Sequence, residues 1–180
     1  MRMSIRGMVY LAFFIALGVI LTRFASIRLT VMGIESIRIG LGGFPLIFAG
    51  LLFGPVAGGI VGALTDIIGF IMSPMGGYMP HFTLTAALTG ILPALFLQII
   101  RRTEKPGFSS LLLAILGGEI ITALVLVPYF QHILFAFPYQ LIIPPRLITV
   151  AVEVPLYTLL AHNLLQRLEG LVRRLRFSYR

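Results

Sequence analysis

The chain has 180 residues, of which 58% are hydrophobic and only 11% are charged. About a quarter of the residues in an average soluble domain are charged, so this composition excludes an ordinary water-soluble protein and indicates that lipid is the solvent. The formal net charge is +8 and the sequence contains no cysteine. Disulfides, thiolate metal sites and cysteine nucleophiles are therefore excluded.

Six apolar stretches follow one another with short connections, and each approaches the roughly 20 residues that cross a bilayer as a helix. A membrane β-barrel would alternate apolar and polar residues over about ten positions, whereas 111–116 and 120–127 are nearly unbroken apolar runs. We therefore predict an all-α, integral membrane bundle of six transmembrane helices, forming one domain over residues 1–180. The predicted spans are 7–27, 38–54, 56–73, 81–101, 109–130 and 145–166.

Basic residues cluster before the first span, between the fourth and fifth, and after the sixth. With six spans these clusters lie on one side of the membrane, as the positive-inside rule requires of cytoplasmic segments. We predict a cell-membrane protein with both termini in the cytoplasm, an uncleaved first span rather than a signal peptide, and basic residues that meet lipid headgroups rather than nucleic acid. The clusters are Arg2 and Arg6; Arg101, Arg102 and Lys105; and Arg167, Arg173, Arg174, Arg176 and Arg180.

Four further arginines, Arg23, Arg28, Arg38 and Arg146, lie near the predicted external ends of the spans. Guanidinium groups stay charged and match carboxylates in a bidentate geometry, so this basic mouth predicts capture of a small organic acid. Snorkelling to the interface is the alternative for the first two. Arg146 is predicted at the start of the sixth helix, and Glu153 two turns deeper; the pair could instead form an internal salt bridge.

Small residues recur on two predicted helices. Gly54, Gly58 and Gly62 follow one another every four residues and Asp66 continues the spacing, which predicts one helix face with close helix packing. A carboxylate such as Asp66 at membrane depth normally faces a cavity, a partner or a pathway. Ala12 and Ala16 form a second pair of small residues, on the first span.

The connection between the third and fourth spans combines glycine and proline with aromatic and hydroxyl side chains. Tyr78 and Phe82 offer flat surfaces for stacking, and Thr83 and Thr85 offer hydroxyl groups. This set predicts contact with a planar aromatic ligand. The alternative is that the rings anchor the helix ends at the membrane interface.

Four blocks of the sequence together form a recognisable pattern. The blocks are Arg38-Ile39-Gly40 through Phe44-Pro45; Ala49 to Gly59 with Asp66-Ile67-Ile68-Gly69; Tyr78-Met79-Pro80-His81-Phe82-Thr83-Leu84-Thr85-Ala86; and Pro145-Arg146-Leu147-Ile148. They closely resemble the folate-specific membrane subunit (FolT family) of energy-coupling factor vitamin transporters. The resemblance extends over the whole chain in length and in number of spans. One departure is His81, where the family pattern has glycine.

The resemblance implies a bacterial substrate-binding subunit that captures folate or a reduced folate from outside. It also implies partners, a transmembrane coupling subunit (EcfT) and two cytoplasmic ATPases, with Ala12 and Ala16 docking the coupling subunit. No phosphate-binding loop Gly-x-x-x-x-Gly-Lys-[Ser/Thr] is present, so the chain lacks that route to ATP hydrolysis. We expect no cofactor, no metal and no enzymatic activity.

On this interpretation the rings of Tyr78 and Phe82 contact the flat part of the ligand, and Arg38 and Arg146 balance its carboxylates. Asp66 either hydrogen-bonds the pterin edge or supports the connection from below, and Glu153 is the alternative for the pterin edge. The predicted ligand-binding residues are Arg38, Asp66, Tyr78, Pro80, His81, Phe82, Thr83, Arg146 and Glu153.

Two other functions remain open at this stage. The chain could bind a different flat vitamin, such as riboflavin or a thiamine precursor. It could also be a small proton-coupled secondary transporter in which Asp66, Glu119 and Glu153 relay protons. The role of Glu119, inside the fifth predicted span, is not decided by its position in the sequence.

Overall fold

A computed structural model describes residues 5–24, 26–31, 34–74, 77–100 and 106–167. Helices dominate this part of the chain, and the predicted order of apolar spans is confirmed. Five helical segments in the described ranges are long and apolar enough to cross a membrane. The helices are α1 (Ile5–Phe24), α2 (Phe44–Phe53), α3 (Pro55–Met72), α4 (Pro80–Ile100), α5 (Phe108–Glu119), α6 (Val127–Phe135) and α7 (Tyr139–Arg167), and a π-helical segment (Ile120–Leu126) joins α5 to α6.

The second span is shorter than predicted, because its first residues belong to a β-hairpin. Strand β1 (Ser26–Val31) pairs antiparallel with β2 (Ile34–Gly40), and Arg28 lies opposite Arg38. The prediction of a helix from residue 38 was therefore wrong, since β2 extends to Gly40 and α2 begins at Phe44. Polar and apolar residues alternate along β1, and β-branched side chains are frequent in both strands, which favours extended backbone.

The last two spans also differ from the prediction. Residues 108–135 are continuously helical, and α7 begins at Tyr139. The predicted end of the fifth span at 130 and start of the sixth at 145 are therefore wrong; only 136–138 lie between the helices, and Ala136 turns the chain in the left-handed region at φ 55°. Arg146 consequently lies about two turns inside α7 rather than at its start. Bundle interiors tolerate proline within membrane helices, so Pro144 and Pro145 do not end α7.

Helix α2 has ten residues, and nine of them are buried at the centre of the molecule. Its rings stack on neighbours: Phe44 lies 5.2 Å from Phe48 between ring centroids, and Phe48 lies 5.9 Å from Phe14 of α1. Gly54 ends α2 at φ 98°, a conformation that glycine adopts readily, and Pro55 begins α3 immediately. The predicted boundary between the second and third spans is confirmed, but Gly54 caps α3 and is not part of its helical face.

Helix α3 packs closely on α1 and α4 because glycine faces each of them. A Cβ at Gly58 would meet the backbone of Gly90, whose carbonyl carbon lies 2.7 Å away, and a Cβ at Gly62 would meet the backbone of Ala86. Towards α1, a Cβ at Gly69 would lie 3.2 Å from the guanidinium of Arg23. The packing role predicted for Gly58 and Gly62 is confirmed.

We expect Gly58→Ala to destabilise the protein, although alanine normally stabilises a helix interior relative to glycine. The added methyl group would force α3 and α4 apart, at a cost of about 1–3 kcal/mol. Thermal unfolding in detergent measures the effect. Gly77→Ala is the matched control, because nothing lies within 4 Å of its Cβ position; equal unfolding temperatures for the two variants would contradict the packing assignment.

Candidate ligand-binding site

The predicted site residues gather at one end of the bundle, which we call the hairpin end. Strands β1 and β2, the 136–138 turn and the connection from α3 to α4 (the 73–79 connection, described at 73–74 and 77–79) lie there, because α1, α3 and α6 end and α2, α4 and α7 begin at this level. The described contacts of these residues fall into two groups. One is centred on α7, and the other joins α3 to the first turn of α4.

The inward face of α7 carries the first group. Arg146, Glu153 and Tyr157 are separated by seven and four residues and therefore lie on one side of the helix. Tyr157 is fully buried, and the arginine and the glutamate are partly buried. Arg146 and Glu153 both act electrostatically on Glu119 of α5, which is 5% exposed. Arg146 and Glu153 therefore both lie within electrostatic reach of Glu119 inside the bundle.

Helix α7 also holds the end of the hairpin through the backbone of Gly40. The Gly40 N–H donates to Glu153 Oε1 at 3.0 Å, and the Tyr157 hydroxyl donates to the Gly40 carbonyl at 2.6 Å. Glycine is needed at this position, because a Cβ would lie 2.8 Å from the Cα of Ser26 in the paired strand. Both polar groups of one peptide position are therefore satisfied by side chains more than a hundred residues away.

The second group is a chain of three hydrogen-bonded side chains. Thr83 donates to Asp66 Oδ2 at 2.6 Å, and the Tyr78 hydroxyl lies 2.9 Å from Thr83 Oγ1. The Tyr78 ring also packs on Phe70 of α3, at 5.3 Å between centroids. Asp66 thereby fixes the end of the 73–79 connection to α3, which is the supporting contact considered for it from the sequence.

The first turn of α4 faces α6. His81 packs its ring on Phe130, with 5.0 Å between centroids, and its carbonyl accepts a hydrogen bond from Thr85. Phe82 is partly buried, and Pro80 is exposed where the helix begins. The bulkier side chain at position 81 is therefore used as a contact between two spans.

Arg38 lies on β2, and its side chain is outside the described residues. Sequence reasoning missed Tyr157 and left Glu119 without a role. Tyr157 gave no signal, because a tyrosine within an apolar run is typical of a helix end at the membrane interface. Glu119 did give one, since a carboxylate within a span normally faces an interior site.

The other histidines do not join these groups. His132 stacks on Tyr139 at 4.4 Å and its Nδ1 lies 2.8 Å from the carbonyl oxygen of Phe137. His162 packs on Phe108 at the opposite end of the bundle. Within the described ranges, no three His, Asp or Glu side chains are placed to hold a metal ion.

Helix α1 presents two different faces. Leu11, Phe14 and Val19 are buried against the bundle. The opposite face is exposed and apolar, and it includes both alanines of the predicted docking pair. Its exposed residues are Ile5, Met8, Val9, Ala12, Phe13, Ala16 and Ile20.

Comparison with known proteins gives consistent matches over most of the chain. The family described as ECF-type riboflavin transporter, S component, matches residues 2–170. The folate transporter FolT of Clostridium novyi (strain NT) is 31% identical over 169 residues, which cover 92% of this chain and 93% of that protein.

Two solved structures have the same fold. A crystal structure of FolT bound with folic acid superposes with a TM-score of 0.75 at 24% identity, covering 92% of this chain and 97% of that one. The S component of a bacterial ECF transporter gives a TM-score of 0.67 at 23% identity, covering 89% and 96% respectively.

We expect Tyr157→Phe to loosen the hairpin. The change removes the hydrogen bond to the Gly40 carbonyl and leaves that oxygen without its donor, at a cost of about 1–3 kcal/mol. Peptides covering residues 26–40 should exchange their amide hydrogens faster, as measured by mass spectrometry. Tyr129→Phe on α6, where the side chain is 49% exposed, is the control; equal exchange in both variants would refute the anchoring role of Tyr157.

Proposed function

The chain belongs to the family of ECF-type riboflavin transporter S components, and from this premise we propose that it captures folate outside the cell for uptake driven by partner subunits. The observation that carries the choice of ligand is the similarity to a folate transporter along nearly the whole of both chains. Riboflavin is the second candidate, because the matching family is described by that vitamin. Both are flat ring systems, so a site with aromatic side chains at the hairpin end suits either.

In this proposal, the 73–79 connection and the first turn of α4 contact the ring system. The hydrogen bonds from Asp66 through Thr83 to Tyr78 hold the tyrosine ring in one place, and a fixed ring loses less conformational freedom when a ligand stacks on it. Phe82 contributes a second flat surface, while Pro80 and His81 shape the wall between α4 and α6. Asp66 supports the connection.

Arg38 and Arg146 balance the carboxylates of the ligand in the same proposal. Arg146 lies within electrostatic reach of Glu119 inside the bundle. A folate glutamate is a carboxylate that can accept two parallel hydrogen bonds from such a group. Glu153 stays with the hairpin, since one of its oxygens accepts from Gly40.

The remaining parts of the proposal concern assembly and orientation. The exposed apolar face of α1, with Ala12 and Ala16 at its middle, is where the coupling subunit docks, because small residues let a partner helix approach closely in lipid. That subunit connects the chain to two cytoplasmic ATPases. The basic clusters support a topology with both termini in the cytoplasm, in which the hairpin end faces outward in the bacterial cell membrane.

Purified protein should bind folic acid with sub-micromolar affinity, as expected for a well-enclosed ligand of this size. Isothermal titration with folic acid and with riboflavin decides between the two candidates, and mass spectrometry identifies the ligand that co-purifies. Replacing residues 74–80 with a Gly-Ser linker should weaken binding more than it lowers the unfolding temperature. Tight binding of riboflavin alone would overturn the choice of ligand, and unchanged affinity in the linker variant would overturn the role of the connection.

The double substitution Ala12→Leu with Ala16→Leu should abolish co-purification with a coupling subunit and leave folic acid binding unchanged. Two larger side chains would keep a partner helix from approaching the small-residue face. Ala151→Leu, at an exposed position of α7, is the matched control. If both variants retained the partner equally, docking through α1 would be disproved.

A further inference from the structure

The continuous span from α5 through α6 carries two polar side chains that face inward. Glu119 is 5% exposed and Gln131 is 9% exposed. Among the described residues, neither side chain has a hydrogen-bond partner; Glu119 lies within electrostatic reach of Glu153 and Arg146. Polar groups buried in a protein are normally hydrogen-bonded, and exceptions call for an explanation.

The π-helical segment explains how both side chains come to face inward. Twelve residues separate Glu119 from Gln131, and in a regular α-helix they would differ in direction by about 120°. Within the segment, the Val127 N–H donates to the carbonyl of Thr122, five residues earlier. One such wide turn absorbs a residue without adding rotation, so the two side chains come within about 20° of each other, roughly 16 Å apart along the helix.

The surroundings of this face are the residues already assigned to the ligand site. Gln131 lies four residues before the end of α6, near the hairpin end, next to the Phe130 ring on which His81 packs. Glu119 lies deeper, beside Arg146 and Glu153 of α7. The face therefore extends from the hairpin end into the charged interior of the bundle.

We propose that Glu119 and Gln131, brought to one face by the π-helical segment, are hydrogen-bonding contacts for an elongated ligand. Glu119 accepts a hydrogen bond from an N–H donor of the ligand at the deep end, since a carboxyl group carries acceptor oxygens. Gln131 uses its amide, which both donates and accepts, for a neutral polar group nearer the hairpin end. This inference rests on the proposed function, because it assumes that the ligand occupies the bundle interior.

Isosteric substitutions test the proposal through two measurements, the unfolding temperature without ligand and the affinity for folic acid. The first should not fall, and the second should. Gln131→Met keeps the volume and removes the amide, and Glu119→Gln keeps the shape and replaces one carboxyl oxygen by an amide nitrogen. Since neither side chain has a hydrogen-bond partner within the described residues, ligand-free variants should unfold at the wild-type temperature or above it. Their affinity for folic acid should fall, by about tenfold for Gln131→Met and by ten- to a hundredfold for Glu119→Gln.

Gln98→Met, at an exposed position on α4, is the matched control and should change neither readout. If either Glu119→Gln or Gln131→Met lowered the unfolding temperature of the ligand-free protein, that side chain would have a structural role and the inference would be overturned. If wild-type protein bound folic acid and neither substitution weakened that binding, this inference would be wrong while the proposed function would stand. If wild-type protein bound neither folic acid nor riboflavin, the proposed function would fail and this inference with it.

Discussion

The hydrogen bonds between α7 and Gly40 determine how the hairpin end is built. A strand that enters a membrane bundle brings backbone groups that lipid cannot satisfy, and each unsatisfied group costs several kcal/mol. Glu153 and Tyr157 satisfy both groups of Gly40, the last residue of β2, at the level where the chain turns into α2. The hairpin can therefore replace the first turns of a full-length second span, and α2 can remain short, apolar and central.

The need to satisfy polar groups away from water also explains hydrogen bonds elsewhere in the bundle. Hydroxyls inside helices return to the carbonyl one turn earlier, as Thr122 does to Gly118 and Thr158 does to Val154. Asp66 accepts a hydrogen bond from the Thr83 hydroxyl, and Glu153 accepts one from the Gly40 N–H. Glu119 and Gln131 make no such hydrogen bond among the described residues, and we assign their polar groups to contacts with a ligand.

Most of the fold could be predicted from the sequence because membrane helices are specified by long apolar runs. The hairpin could not, since short strands that alternate polar and apolar residues between two spans look like a loop. The start of α7 was misplaced because Pro144-Pro145 usually marks a helix start in water, whereas a bundle interior tolerates it. The π-helical segment has no marker at all in 120–126. Of the site, Asp66, Thr83 and Tyr78 were predicted individually, but their mutual hydrogen bonds and the long-range contact of Glu153 with Gly40 depend on tertiary packing.

The close fit of Arg23 against Gly69 has a mechanical consequence. The guanidinium occupies the space of a missing side chain, and one helical turn away Thr65 of α3 faces Gly18 of α1 in the same manner. The two helices are interlocked at two levels and cannot slide past each other without a clash. A load applied to the exposed alanine face of α1 is thus transmitted to α3 as a rigid displacement, and through Asp66 it reaches the connection that carries Tyr78.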